Sequence, residues 1–123
     1  MIDGVRFIAE NYPRASNTND AAVYRALYHP DALWCPPHFE DKRGVDQIAF
    51  AYAFKDFTID ASVLELEGID GETQSYVTGL LSVKTYDRSG SFRKEMLLRG
   101  SWVIVLYRDR PVIRYQVWNE KRM

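Results

Sequence analysis

The stretch "LLRGSWVIVLYRDRPVIRYQVWNE", Leu97 to Glu120, decides how this chain folds. It is rich in β-branched and aromatic residues, and "RDRP" divides it into two runs, which predicts a hairpin of two strands. In "SWVIVLY" both parities are apolar. Trp102, Ile104 and Leu106 share one face; Val103, Val105 and Tyr107 share the other. A sheet with one wet face alternates cleanly, so both faces of this strand are expected to be covered. One face would meet helices. The other would meet a second copy of the chain, giving a homodimer through the sheet, or else the strand is buried within one chain.

Upstream, the same composition continues back to Phe57. "GIDGE" and "DRSG" are turn signals between further strand-like runs. Strands are expected at 57–66, 73–86, 92–107 and 111–118, with a short fifth at "ALW", Ala32 to Trp34.

The first third reads as helix. Ile2, Val5, Ile8, Ala9 and Tyr12 recur at spacings of three and four, and Pro13 is expected to end or kink that helix. "NTND" supplies capping residues before a second helix with Ala22, Val23, Ala26 and Leu27 inward, stopping before Pro30. A third helix is expected from Gly44 to Phe54. Helices followed by long antiparallel strands make an α+β pattern, with the helices covering one face of a curved sheet.

The 123 residues suit one domain, 1–123, and contain no repeat or linker. A formal net charge of −1 argues against nucleic acid and anionic membrane as partners. One cysteine cannot form an internal disulfide, and no window approaches the roughly 18 apolar residues of a membrane span, so a cytoplasmic setting is expected. His29 and His38 with only Cys35 between them make no metal-ligand set; neither a metal nor another cofactor is expected.

Three segments resemble the nuclear transport factor 2-like superfamily, which includes ketosteroid isomerase and the SnoaL-like cyclases. "NTNDAAVYRALYHPDALW" is similar to its second helix and first strand, "RGVDQIAFAYAF" to its third helix, and the Leu97–Glu120 stretch to its C-terminal hairpin. The resemblance implies a cone-shaped curved antiparallel sheet wrapped around three N-terminal helices, with a pocket at the open end. It also implies acid–base chemistry on small apolar molecules, since a dry cavity raises carboxylate pKa values and strengthens hydrogen bonds to an oxyanion. By the same resemblance Tyr12 falls on the isomerase's oxyanion tyrosine. The base position falls on Pro36, and the late-strand acid on Trp102 or Val103. Where many members end in Asp-x-Trp-Asn, this chain has Gln116-Val117-Trp118-Asn119, an amide that takes no proton at neutral pH.

Histidine is the side chain suited to proton transfer near neutral pH, so His38 is the candidate base, against the alternative of a solvated loop histidine. Arg99, in the apolar run "MLLRGSW", either holds a ligand carboxylate or enolate or pairs with Glu95 or Asp60. Gly100 beside it suggests a bulge or sharp bend. Tyr28, Trp34, Phe54, Trp102 and Trp118 either line the cavity or pack the core. Cys35 points away from Trp34, and Glu120 and Asp41 are possible acids near the open end. Two functions are compatible with these residues. The first is a SnoaL-like pocket protein, an isomerase, cyclase, dehydratase or hydrolase with His38 as proton shuttle and Tyr12, Arg99 and Gln116 orienting an apolar or aromatic ligand. The second is a non-catalytic ligand-binding or dimerisation module of the same fold.

Overall fold

A computed structural model describes residues 1–18, 20–53 and 56–121, without the side chains of Tyr52 and Ala53. Three helices, α1 (Gly4–Thr18), α2 (Ala21–Leu27) and α3 (Val45–Ala53), accompany six strands: β1 (Tyr28–Cys35), β2 (Lys42–Arg43), β3 (Thr58–Ile69), β4 (Gln74–Tyr86), β5 (Phe92–Tyr107) and β6 (Arg110–Lys121). They form one open sheet in the order β2-β1-β6-β5-β4-β3.

The four long strands fall where alternation and turn signals place them. Arg108 and Asp109 adopt φ of 52° and 62°. That left-handed pair makes the tight turn whose twist matches the flanking strands, and it brings Tyr107 opposite Arg110. Residues 69 to 74 and 87 to 91 close the other hairpins. In the second, Asp87 accepts from the backbone N–H of Ser89 and of Ser91 at 3.0 Å each.

Three local readings need correction. Of the two outcomes expected at Pro13, an end or a kink, the first does not occur: Pro13 lies inside α1. It removes one helical donor, but Ala15 and Ser16 beyond it are buried, and that packing outweighs the local preference to stop. Gly100 is not in a bulge: it pairs in register with Gly79 on one side and Trp118 on the other. A Cβ there would lie 2.8 Å from the Trp102 ring, so the glycine makes room for that indole. The sheet is also not wholly antiparallel, because β1 runs parallel to β6. Pro30 is tolerated in β1 because the register shifts between Tyr28 and Leu33, where a missing N–H costs no ladder bond.

α1 packs against β3 and β4, α2 against α3, and α3 against β1. Asp20 caps α2, accepting from the Ala22 N–H at 2.9 Å. The curved sheet's inner face therefore meets the helices. Val77, Leu81, Leu98, Trp102, Ile104 and Ile113 are all buried there. On the outer face Tyr76 is 45% exposed, Tyr115 40% and Val117 54%, while Val103 and Val105 are half-buried.

Candidate functional site

Between α1 and the inner face of β3–β6 lies a cavity of about 120 Å³. α1 contributes Tyr12 and Ser16, one turn apart. The strands contribute alternate residues: Ile59 and Ala61, then Leu81, Val83 and Thr85, then Met96 and Leu98, and finally Trp118; Phe57 stands before β3. The pleat explains the selection, since residues two apart on a strand share a face. A larger hollow of about 260 Å³, lined by Lys42, Asp46, Gln47 and Phe50, lies open on the surface beside α3. Its lining is three solvated polar side chains and one ring, open to solvent, so the more enclosed and largely apolar cavity is the stronger candidate.

Behind the cavity wall runs a buried polar chain. Tyr28 donates its hydroxyl proton to Gln116 Oε1 at 2.5 Å, and Gln116 Nε2 donates to the Tyr12 oxygen at 2.8 Å. All three side chains are buried, and mutual satisfaction makes that tolerable in a low-dielectric interior. The chain fixes the Gln116 amide and holds the Tyr12 ring against the cavity. Trp102 packs on Tyr12 edge-on, with centroids 5.4 Å apart. Trp34 and Trp118 are tilted at 5.7 Å. The Trp118 Nε1–H is buried and meets no acceptor among the described residues.

Tyr24 stands beside this site. Burial pushes its hydroxyl well above the ordinary tyrosine pKa, and an interaction with Ser16 offsets part of that. Burial, then the neighbouring Asp41, likewise raises the Cys35 thiol, which keeps it protonated and poorly nucleophilic.

Of the residues singled out in the sequence, Tyr12 and Trp118 stand on the cavity wall, and Tyr28 and Gln116 stand directly behind Tyr12. Trp34 touches Trp118, and Trp102 is core behind Tyr12. Phe54 lies outside the described residues. Two candidates are elsewhere. Arg99 has the opposite parity from Leu98 and Trp102, so its side chain lies on the outer face, away from the cavity. It forms no ion pair with Glu95 or Asp60 among the described residues. His38 sits in the loop after β1 with φ of 68°. Its side chain is 70% exposed, and its Nε2 lies 3.4 Å from Glu120 Oε1. It is therefore at the rim of the cone and not among the wall residues. His29 is likewise at the surface side of β1, where its Nδ1 accepts from the Asp31 N–H at 3.0 Å.

Sequence reasoning passed over most of the wall: Ser16, Phe57, Ile59, Ala61, Leu81, Val83, Thr85, Met96 and Leu98. The signal was present in the parity of each strand, because every wall residue of β4 and β5 shares a face with Trp102.

No sequence family and no curated protein matches the chain. Solved structures do. A nuclear transport factor 2-like superfamily protein from Salmonella enterica serovar Typhimurium matches with a TM-score of 0.83 and 16% identity, covering 97% of this chain and 92% of that one. A ketosteroid isomerase-like protein from Erwinia carotovora atroseptica gives 0.77 and 14% over 100% of both chains. A protein with a cystatin-like fold from Caulobacter vibrioides gives 0.78 and 19%, covering 98% and 89%. The similarity extends over nearly the whole length: the chain has the nuclear transport factor 2-like, cystatin-like fold.

Proposed function

We propose that this chain acts as one domain that binds a small apolar or aromatic molecule in the cavity between α1 and the sheet. The observation that carries the reading is an apolar cavity of about 120 Å³ with Trp118 on its wall, whose buried indole N–H meets no acceptor among the described residues. An engineered apolar cavity of roughly 150 Å³ takes one benzene, so the size suits a single ring. An unsatisfied buried donor costs about 1–3 kcal/mol. A ligand bringing an acceptor, such as a carbonyl or phenol oxygen, would recover that.

The described wall residues include hydroxyls on Tyr12, Ser16 and Thr85 but no carboxylate and no imidazole. Binding, with polarisation of a ligand oxygen, fits this wall better than a proton shuttle through His38. The ketosteroid isomerase-like neighbour shares the fold, but the position of its namesake's base is Pro36 here.

The exposed ribbon of Tyr76, Tyr115 and Val117 on the outer face suits a second copy of the chain, so the active form is read as a homodimer through the sheet. The unpaired Cys35 fits a reducing, cytoplasmic setting.

Calorimetric titration and thermal melts with acetophenone and ethylbenzene test the pocket. The expected result is that acetophenone raises Tm and binds more tightly than ethylbenzene, and that Trp118→Phe abolishes the difference. Absence of any Tm shift with either compound, together with no retained ligand in native mass spectra, rejects the reading.

A further inference from the structure

The cavity's open end is marked by register. Phe57, Ile59, Thr85 and Met96 are the wall residues nearest the start of β3, the end of β4 and the start of β5. Two cations stand immediately beyond them. Lys94 is the direct cross-strand partner of Thr85, and directly paired residues project from the same face. Its side chain therefore leaves β5 on the cavity side. Arg93 holds its guanidinium 5.3 Å from the centroid of Phe57, itself a wall residue.

The carboxylates nearby are already engaged. Asp56 pairs with Arg88 at 3.1 Å. Asp87 accepts from the Ser89 hydroxyl at 2.6 Å and from the backbone of Ser89 and Ser91. Those bonds, the Ser89 side chain first, with a smaller contribution from the charge of Arg93, pull it below the usual carboxylate range. Glu120, which pairs across from Leu98 on the same inner face, faces His38. Neither Arg93 nor Lys94 forms an ion pair among the described residues.

An apolar chamber sized for one ring, closed at one end by a buried core and bordered at the other by two exposed cations that form no ion pair among the described residues, selects a particular shape of molecule. We infer that the ligand is a monocyclic aromatic carboxylate. Its ring occupies the cavity, and its carboxylate stays at the mouth against Lys94 and Arg93. Charge-assisted hydrogen bonds to guanidinium and ammonium are about twice as strong as neutral ones. A carboxylate at the mouth keeps part of its hydration, which a carboxylate buried among Leu81, Val83 and Leu98 would lose. This inference rests on the pocket reading above and adds the charge of the ligand.

The test is a matched pair of ligands, para-hydroxyphenylacetate and its neutral amide, titrated into the full chain and into the Arg93→Gln/Lys94→Gln double variant. The carboxylate is expected to bind the unaltered chain about tenfold or more tighter than the amide. That advantage should shrink as sodium chloride rises from about 50 to about 500 mM. The double variant should bind both compounds equally, with the amide's affinity unchanged, which shows that the cavity is still intact. Equal binding of both compounds to the unaltered chain overturns the anionic class and leaves the pocket standing. Failure of both compounds to bind overturns this inference, and the pocket reading falls with it if acetophenone also fails.

Discussion

The two faces of β5 present opposite solutions to the same strand. On the inner face Leu98, Trp102 and Ile104 are buried by α1 and their neighbours. The contacts there are all made within one chain, and the remaining space is a defined cavity. On the outer face Arg99, Ser101, Val103 and Val105 lie half-covered, beside the exposed rings of Tyr76 and Tyr115. Burial is therefore concentrated on one side, and exposed aromatic surface on the other. The difference teaches that apolar residues of both parities in one strand need not mean one core. Here one set builds the core, and the other lies half-covered on the outer face.

Substitutions should separate the faces. The largest effect is expected from Trp102→Ala, which removes a fully buried indole and should destabilise by about 3–5 kcal/mol in chemical denaturation. Gln116→Leu keeps the bulk but leaves the Tyr12 and Tyr28 hydroxyls without their shared partner. A loss of about 1–3 kcal/mol is expected, with weaker ligand binding. A loss below about 0.5 kcal/mol would show that the buried chain contributes little to the inner face.

The inner side should also respond to alkali. The folded-state pKa of Tyr24 is raised above its unfolded value. The unfolded chain therefore gives up that proton first, near pH 10, and folding stability falls as pH rises beyond it by up to about 1.4 kcal/mol per unit. Stability from this source is complete below pH 10. Tyr24→Phe should flatten that part of the pH profile, and an unchanged slope would refute the assignment.

The outer face should behave in the opposite way. Val117→Glu is expected to change monomer stability by no more than about 0.5 kcal/mol while converting a dimer to a monomer in sedimentation equilibrium. A large stability loss with unchanged mass would show that the outer face belongs to the core. The smallest effect is expected from His38→Gly. It relieves a left-handed backbone position and should leave stability within about 1 kcal/mol and ligand affinity unaltered. A marked fall in affinity would return His38 to the site.

The hairpin strands were legible because their signals are local: alternation, turn residues and length. The parallel pairing of β1 with β6 was not, since it joins residues some eighty positions apart and leaves no periodic trace in either segment. β2, with two residues, is too short to have a pattern. In the site, Tyr12 and Gln116 could be singled out because they fall on motif positions of the family the sequence resembles. The apolar wall was not, because Ile59 or Met96 reads identically whether it meets another side chain or an empty volume. Arg99 shows a different failure. An arginine in an apolar run suggested a wet cavity, yet counting parity from Trp102 places it on the far face.

The indole of Trp102 resting on Gly100 has one more consequence. The ring can lie there only because the backbone beneath it lacks a Cβ, so the core behind Tyr12 is set by two positions that constrain each other. Neither can change alone without a collision or a void. The mouth has no such lock: Ile59, Met96 and Phe57 can vary in size one at a time. Related chains with this indole–glycine pair would therefore adjust what they admit by widening or narrowing the entrance, and not by deepening the chamber.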